Sequence, residues 1–248
     1  MKSFLYSFEN VGRMWYNTYK FCIKEKTEIV MEEKITRSKK DYAKRYALFS
    51  AGLTVTALGI ALITKMNLGT SPLSAIPYSL SMIVPTVSLG NWTIIFSLLL
   101  IIIQLVLLKK NANIFELLLQ LVLSFPFGYL IDGFMLLFKN LSPQLYAVRI
   151  VCVVIGCAVI ALGVYIQVLA DVVMLPGDAF VRAIAKVSKK EFGTVRVISD
   201  ITMVTISALL CIIFLNNISG AREGTIISAF ITGNIVKVYG RLFKKISG

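Results

Sequence analysis

Arg196 and Asp200 stand four residues apart near the start of an apolar run, so on a helix they share one face and can pair. A charge in such a run is expensive and ordinarily faces a partner or a wet cavity. Asp178 lies just upstream, in Leu175-Pro176-Gly177-Asp178, and Ser71 and Ser74 occupy a comparable stretch, Ser71-Pro72-Leu73-Ser74. In both stretches the proline suits the first turn of a helix. Free N–H groups and partial positive charge there can hold an anionic group. The alternative is local: Ser71 and Asp178 cap their own helices. Thr225 adds a hydroxyl at the start of the last apolar run, where it, Gly224, Ser228 and Ala229 also permit close helix approach. Ser71, Ser74, Asp178, Arg196, Asp200 and Thr225 are therefore the candidate solute contacts. Asp178, Arg196 and Asp200 are expected to converge on one polar region beside the second proline turn.

Other chemistry is poorly provided for. The chain has no histidine, and Cys22, Cys152, Cys157 and Cys211 form no CxxC pair. They read as small apolar residues rather than as a disulfide framework or a zinc site. No Walker loop, dinucleotide fingerprint or nucleophile–base pair is present. The expectation is a protein that is not an enzyme and needs no cofactor or metal.

The elements that position these residues follow from hydropathy. Of 248 residues, 57% are hydrophobic and 16% charged, against about 25% charged in soluble domains. Six apolar runs, at about Tyr46–Thr64, Trp92–Leu108, Ile114–Phe138, Tyr146–Ala170, Val197–Leu215 and Thr225–Leu242, have the length of membrane-spanning helices. None alternates with the period of a strand, and lipid cannot satisfy an open sheet edge. Ser71–Pro85 and Pro176–Glu191 are too short or too charged to be ordinary spans, and read as short re-entrant or interfacial helices. Gln104 and Gln167 are cheap enough to be interhelical glue. Asp132, flanked by Gly128 and Gly133, and the pair Glu116 and Gln120 are further polar residues of the third run.

The charge is +13, with 26 basic residues against 13 acidic ones. The basic residues cluster between apolar runs rather than among aromatics, so they read as topology signals and not as a nucleic-acid surface. With both termini in the cytoplasm and six alternating spans, 22 basic residues fall inside and 4 outside. Residues 1–45 lack the apolar core of a signal peptide. Phe4, Phe8, Val11, Trp15, Tyr19 and Cys22 share a helical face, so a basic amphipathic helix on the inner leaflet is expected there, followed by a charged linker through Lys44-Arg45. An irregular tail is the alternative.

The chain also repeats. At an offset of 104, Gly52, Gly59, Pro72 and Ala75 match Gly156, Gly163, Pro176 and Ala179. The expected organisation is a segment 1–45, repeat one at 46–138, a linker at 139–145, repeat two at 146–243 and a tail at 244–248. Three spans per repeat place the second upside down relative to the first, the inverted plan of many secondary transporters. If the short segments cross instead, the repeats are parallel.

These residues also resemble a family. Leu58-Gly59, Leu68-Gly69-Thr70-Ser71-Pro72, Pro176-Gly177-Asp178, Gly193, Arg196, Asp200, Gly220, Gly224-Thr225 and Gly233 together, over residues 46–243, are similar to the pattern of the YczE/YyaS/YitT family. The resemblance implies a bacterial multi-pass plasma-membrane protein, and related proteins have been grouped with exporters. The expected whole is an all-α integral membrane protein: six transmembrane helices, two short helices and an inverted 3+3 repeat. Its expected function is secondary transport or export of a small solute across the bacterial plasma membrane, with a small molecule or an anionic solute as the candidate partner. The alternative is a non-transporting scaffold or regulator that engages a cytoplasmic partner through the basic N-terminus. The bilayer is the expected partner and nucleic acid is not; a homo-oligomer is neither required nor excluded.

Overall fold

The computed structural model describes residues 39–109, 112–141, 143–217, 220, 222–232, 235 and 239. The amphipathic segment expected upstream of residue 39, the end of the sixth apolar run and the tail at 244–248 lie outside them. The described residues form helices and no strand. In chain order these are α1 (Lys39–Lys65), a 3-10 turn (Pro72–Ser74) that runs into α2 (Ala75–Ile83), α3 (Leu89–Leu108), α4 (Ile114–Leu137), α5 (Tyr146–Ala170), α6 (Pro176–Ser188), α7 (Phe192–Leu215) and α8 (Glu223–Thr232).

Five helices, α1, α3, α4, α5 and α7, are long and apolar enough to cross a membrane. Their outward faces are apolar: Phe115 and Leu136 are more than two-thirds exposed. Their hydroxyls and amides point inward, with Thr56, Thr93, Ser97, Gln104, Gln120 and Ser207 all buried. This polarity is inverted relative to a water-soluble bundle and suits a hydrocarbon solvent.

The N-terminal boundary differs from the sequence expectation. Lys39–Arg45 are the first turns of α1 rather than a linker. Lysine and alanine favour helix, and the Arg45 guanidinium donates to the Ala170 carbonyl at the end of α5, 3.3 Å away. A cation at a helix C-terminus satisfies carbonyls that the helix itself leaves free.

α1 and α5 form the most extensive helix pair. They meet through glycines seven residues apart on each helix, Gly52 and Gly59 against Gly163 and Gly156. Numbers rise on one helix as they fall on the other, so the pair is antiparallel. A β-carbon on Gly52 would lie 2.9 Å from the Gly163 carbonyl oxygen, and one on Gly59 would lie 2.9 Å from that of Gly156. Only glycine allows backbones that close. Gln167 crosses the same seam, donating to Gly52 O at 3.2 Å and Thr56 Oγ1 at 2.7 Å. Around it Phe49, Leu53, Ile60, Ile63, Phe127, Ile131, Val153 and Ile160 form the main apolar core.

The short helices cross between the long ones: α2 lies on α7 and α3, and α6 lies on α3 and α7. The first turn of each is tied by a side chain of the opposite half. Ser207 of α7 donates to the Ala75 carbonyl at 3.1 Å, and Gln104 of α3 donates to the Pro176 carbonyl at 3.2 Å. Asp132 is a cap at the start of α3. It accepts from Ser88 Oγ at 2.6 Å and from the Gly90 N–H at 2.7 Å, while Ser88 Oγ accepts from Asn91 N.

Candidate functional site

The two proline turns face each other inside the bundle. Pro72, Ser74 and Pro176 are buried, and a β-carbon on Gly177 would lie 3.0 Å from the Leu73 side chain. Between and beside the turns is a cavity of about 110 Å³. Its walls come from both halves: Ser71–Ser74, Thr93 and Ser97 on one side, Leu175–Asp178, Arg196 and Asp200 on the other, with Thr56, Ser228 and Thr232 completing the polar lining.

Asp178, Arg196 and Asp200 meet there. Arg196 Nε donates to Asp200 Oδ2 at 3.2 Å, within one helical face of α7, and Arg196 Nη1 pairs with Asp178 Oδ1 from the first turn of α6. Gly193 at the start of α7 is buried in the turn that brings the two helices back together. The Asp200 side chain is nine-tenths buried, and its Oδ1 also lies 3.2 Å from Arg196 Nε as an ion-pair contact. Two carboxylates thus share one guanidinium beside a cavity.

Capping does not account for these residues. Ser71 occupies the cap position of the 3-10 turn, but its hydroxyl donates to Ser74 Oγ at 3.1 Å and caps no N–H. Asp178 spends its carboxylate on Arg196. Thr225 stands apart from the cavity lining. It is fully buried and its hydroxyl accepts from the Thr70 N–H at 3.1 Å. Ser228 Oγ donates to the Thr70 carbonyl, and Gly224 N donates to the Leu68 carbonyl at 2.7 Å. This clasp fastens α8 to the chain that enters the first proline turn, which is how Thr225 bears on the site.

Thr93 and Ser97 are cavity residues that single-residue reasoning misses, since a hydroxyl in an apolar run carries no signal by itself. They stand four and eight residues beyond the start of α3, as Arg196 and Asp200 stand four and eight beyond the start of α7. The hydroxyl pair and the charged pair thus stand at the same distance from the starts of their helices.

Comparison with known proteins identifies a family. A family model described as a family of unknown function (DUF6198) matches residues 43–241. "Uncharacterized protein YyaS" of Bacillus subtilis (strain 168) is 26% identical over 196 residues, covering 79% of this chain and 92% of that protein. No solved structure matches the chain. The helices that build the cavity, including both proline turns and the Asp178–Arg196–Asp200 cluster, lie within the matched region, and the chain belongs to the DUF6198 family as a YyaS-like member.

Proposed function

We propose that this chain is a secondary transporter of a small solute in the bacterial plasma membrane, built as six spans in an inverted 3+3 repeat with both termini cytoplasmic. The observation that carries the proposal is the cavity between the two proline turns. It is walled by both halves of the chain and contains the buried Asp200 carboxylate, both oxygens of which lie 3.2 Å from the Arg196 Nε.

The inverted repeat is supported by contacts that exchange under the offset of 104. Gly52 with Gly163 becomes Gly156 with Gly59, and both pairs are made across one antiparallel crossing. A two-fold relation between antiparallel helices needs an axis perpendicular to them, which lies in the membrane plane if the helices span. The exchange of α2 on α7 for α6 on α3 follows the same rule. In this reading α2 and α6 are re-entrant half-helices whose N-termini meet near the midplane, where irregular backbone is tolerated because it lines a cavity. The basic residues then lie mostly on the cytoplasmic side.

The mechanism rests on charge. Two carboxylates against one guanidinium leave one negative charge in a low-dielectric site, which a single proton on Asp200 or Asp178 neutralises. Rocking of one repeat against the other exposes that proton and the solute to alternate faces, with the hydroxyls of Ser71, Ser74, Thr93 and Ser97 opposite as neutral contacts. No hydrolysis or cofactor is needed.

The test uses a chain with Cys22, Cys152, Cys157 and Cys211 replaced. Single cysteines are placed at Ser97 and Ala229, which line the cavity. A membrane-impermeant methanethiosulfonate is applied to each face of oriented vesicles. Alternating access requires labelling from both faces. Labelling from one face alone describes a static pocket and favours the scaffold reading.

A further inference from the structure

A second, larger cavity lies one helical turn along α3 from the first. Its volume is about 570 Å³, and it opens among the end of α3, the start of α4, α6 and the start of α7. Its charged lining is Glu116, Arg182, Lys186 and Lys190. Arg182 is taken by Glu116 at 3.0 Å. No carboxylate among the described residues forms an ion pair with Lys186 or Lys190, so the lining carries two surplus positive charges.

The floor is polar. Gln104 and Gln120 are almost fully buried. Gln104 Nε2 is spent on Gln120 Oε1 and on the Pro176 carbonyl, each at 3.2 Å, so the neutral donors at the wall are those of the Gln120 amide. Lys186 follows Arg182 by four residues on α6, so both cations project along one face, while Val181 and Ala185 hold the helix down against Val195.

We infer that this vestibule binds a phosphate-type oxyanion. Three cationic side chains and amide donors around one void recognise tetrahedral oxyanions, with arginine supplying the directed contacts and lysine the point charge. The surplus of two positive charges matches a phosphomonoester dianion. The space exceeds a bare phosphate and admits an organic group attached to it. That group belongs either to a lipid phosphomonoester, phosphatidic acid, or to a soluble phosphorylated molecule; the phosphomonoester chemistry is common to both. The inference concerns binding alone, so it survives failure of the two-face labelling test and can fail while that test succeeds.

The experiment measures radiolabelled orthophosphate on the detergent-purified full chain. Saturable binding is expected, weakened about tenfold or more when both K186Q and K190Q are introduced, because two charges within contact range are lost. E116Q, which frees Arg182, is expected to tighten binding several-fold, a gain that misfolding cannot produce. Binding that is non-saturable, indifferent to the lysine changes, or weakened by E116Q overturns the inference. Repeating the measurement in nanodiscs of phosphatidylcholine with and without phosphatidic acid identifies the source. Displacement of orthophosphate by phosphatidic acid assigns the site to a lipid headgroup, and unchanged binding assigns it to a soluble molecule.

Discussion

Asp200→Asn is expected to be nearly silent in stability, although it alters a buried ion pair. Asp178, Arg196 and Asp200 carry a net charge of −1 when all are ionised. Replacing Asp200 by Asn removes the surplus charge, leaves the Asp178–Arg196 pair intact and keeps an amide oxygen that can accept from Arg196 Nε. The expected cost is about 1 kcal/mol or less, the scale of one weakened hydrogen bond. Arg196→Gln leaves the buried Asp200 and the partly buried Asp178 carboxylates with no cation, and removing one partner of a buried pair costs about 3–5 kcal/mol. The double change R196Q with D200N leaves one uncompensated carboxylate rather than two. It should therefore be more stable than R196Q alone, a recovery that simple loss of contacts does not allow. The assay is reversible unfolding in mixed micelles by dodecyl sulfate, followed by far-ultraviolet circular dichroism. The expected order is wild type close to D200N, then the double variant, then R196Q. If D200N costs as much as R196Q, or the double variant is the least stable of all, the charge-count argument for the site is wrong.

Three other outcomes are expected. Asp132→Ala should cost about 1–3 kcal/mol in the same assay, because Ser88 Oγ and the Gly90 N–H both lose their acceptor; an unchanged midpoint would show that water replaces it. Gly156→Val should separate α1 from α5 and lower the yield of folded protein, since even the first added carbon would lie 2.5 Å from the Ile63 side chain; wild-type yield and stability would remove the close crossing from the argument. Cysteines at Lys109 and Lys189 should label from the cytoplasmic face and those at Lys139 and Arg222 from the other; Lys189 and Arg222 on one side would refute the six-span topology.

The membrane-span-like helices were legible in the sequence because length and hydropathy report on the solvent directly. Tyr146–Ala170 was read to the residue, while α3 and α7 began earlier than their apolar runs. Ser88 and Glu191 mark those starts, and Gly90 and Gly193 are buried by packing, which hydropathy does not register. The convergence of Asp178 with Arg196 and Asp200 was legible for a different reason. Buried charges need partners, and few were on offer. What stayed hidden depended on distant contacts. Asp132 reads only as a polar residue of an apolar run, and its role is set by the start of α3, 42 residues away at Gly90. Thr225 looked like a solute contact and is instead a clasp to Thr70, 155 residues away. The vestibule was invisible because Arg182 and Lys186 read as ordinary interfacial charge until α3 and α4 are seen to wall them in.

Under the proposed repeat, matched positions in the two halves carry different chemistry at the cavity. The glycine crossing of α1 on α5 is the same from either half, as is the tie from each long helix to the first turn of the opposite short helix. At the cavity, however, Thr93 and Ser97 face Arg196 and Asp200, and Ser74 stands where the other turn has Asp178. If the halves are repeats, packing constrains both alike. The asymmetry has an electrostatic reason: a second charged cluster would place four carboxylates and two guanidiniums around about 110 Å³, with two negative charges to neutralise in a low-dielectric space instead of one. One charged wall opposed by one hydroxyl wall keeps the surplus at a single charge. Under the proposed mechanism that sets the number of protons carried per cycle to one. Restoring the symmetry should therefore break it: Ser97→Asp is expected to lower folded yield at neutral pH and to recover it as the medium is acidified, since protonation removes the added charge. A yield independent of pH would show that the hydroxyl wall has no electrostatic role.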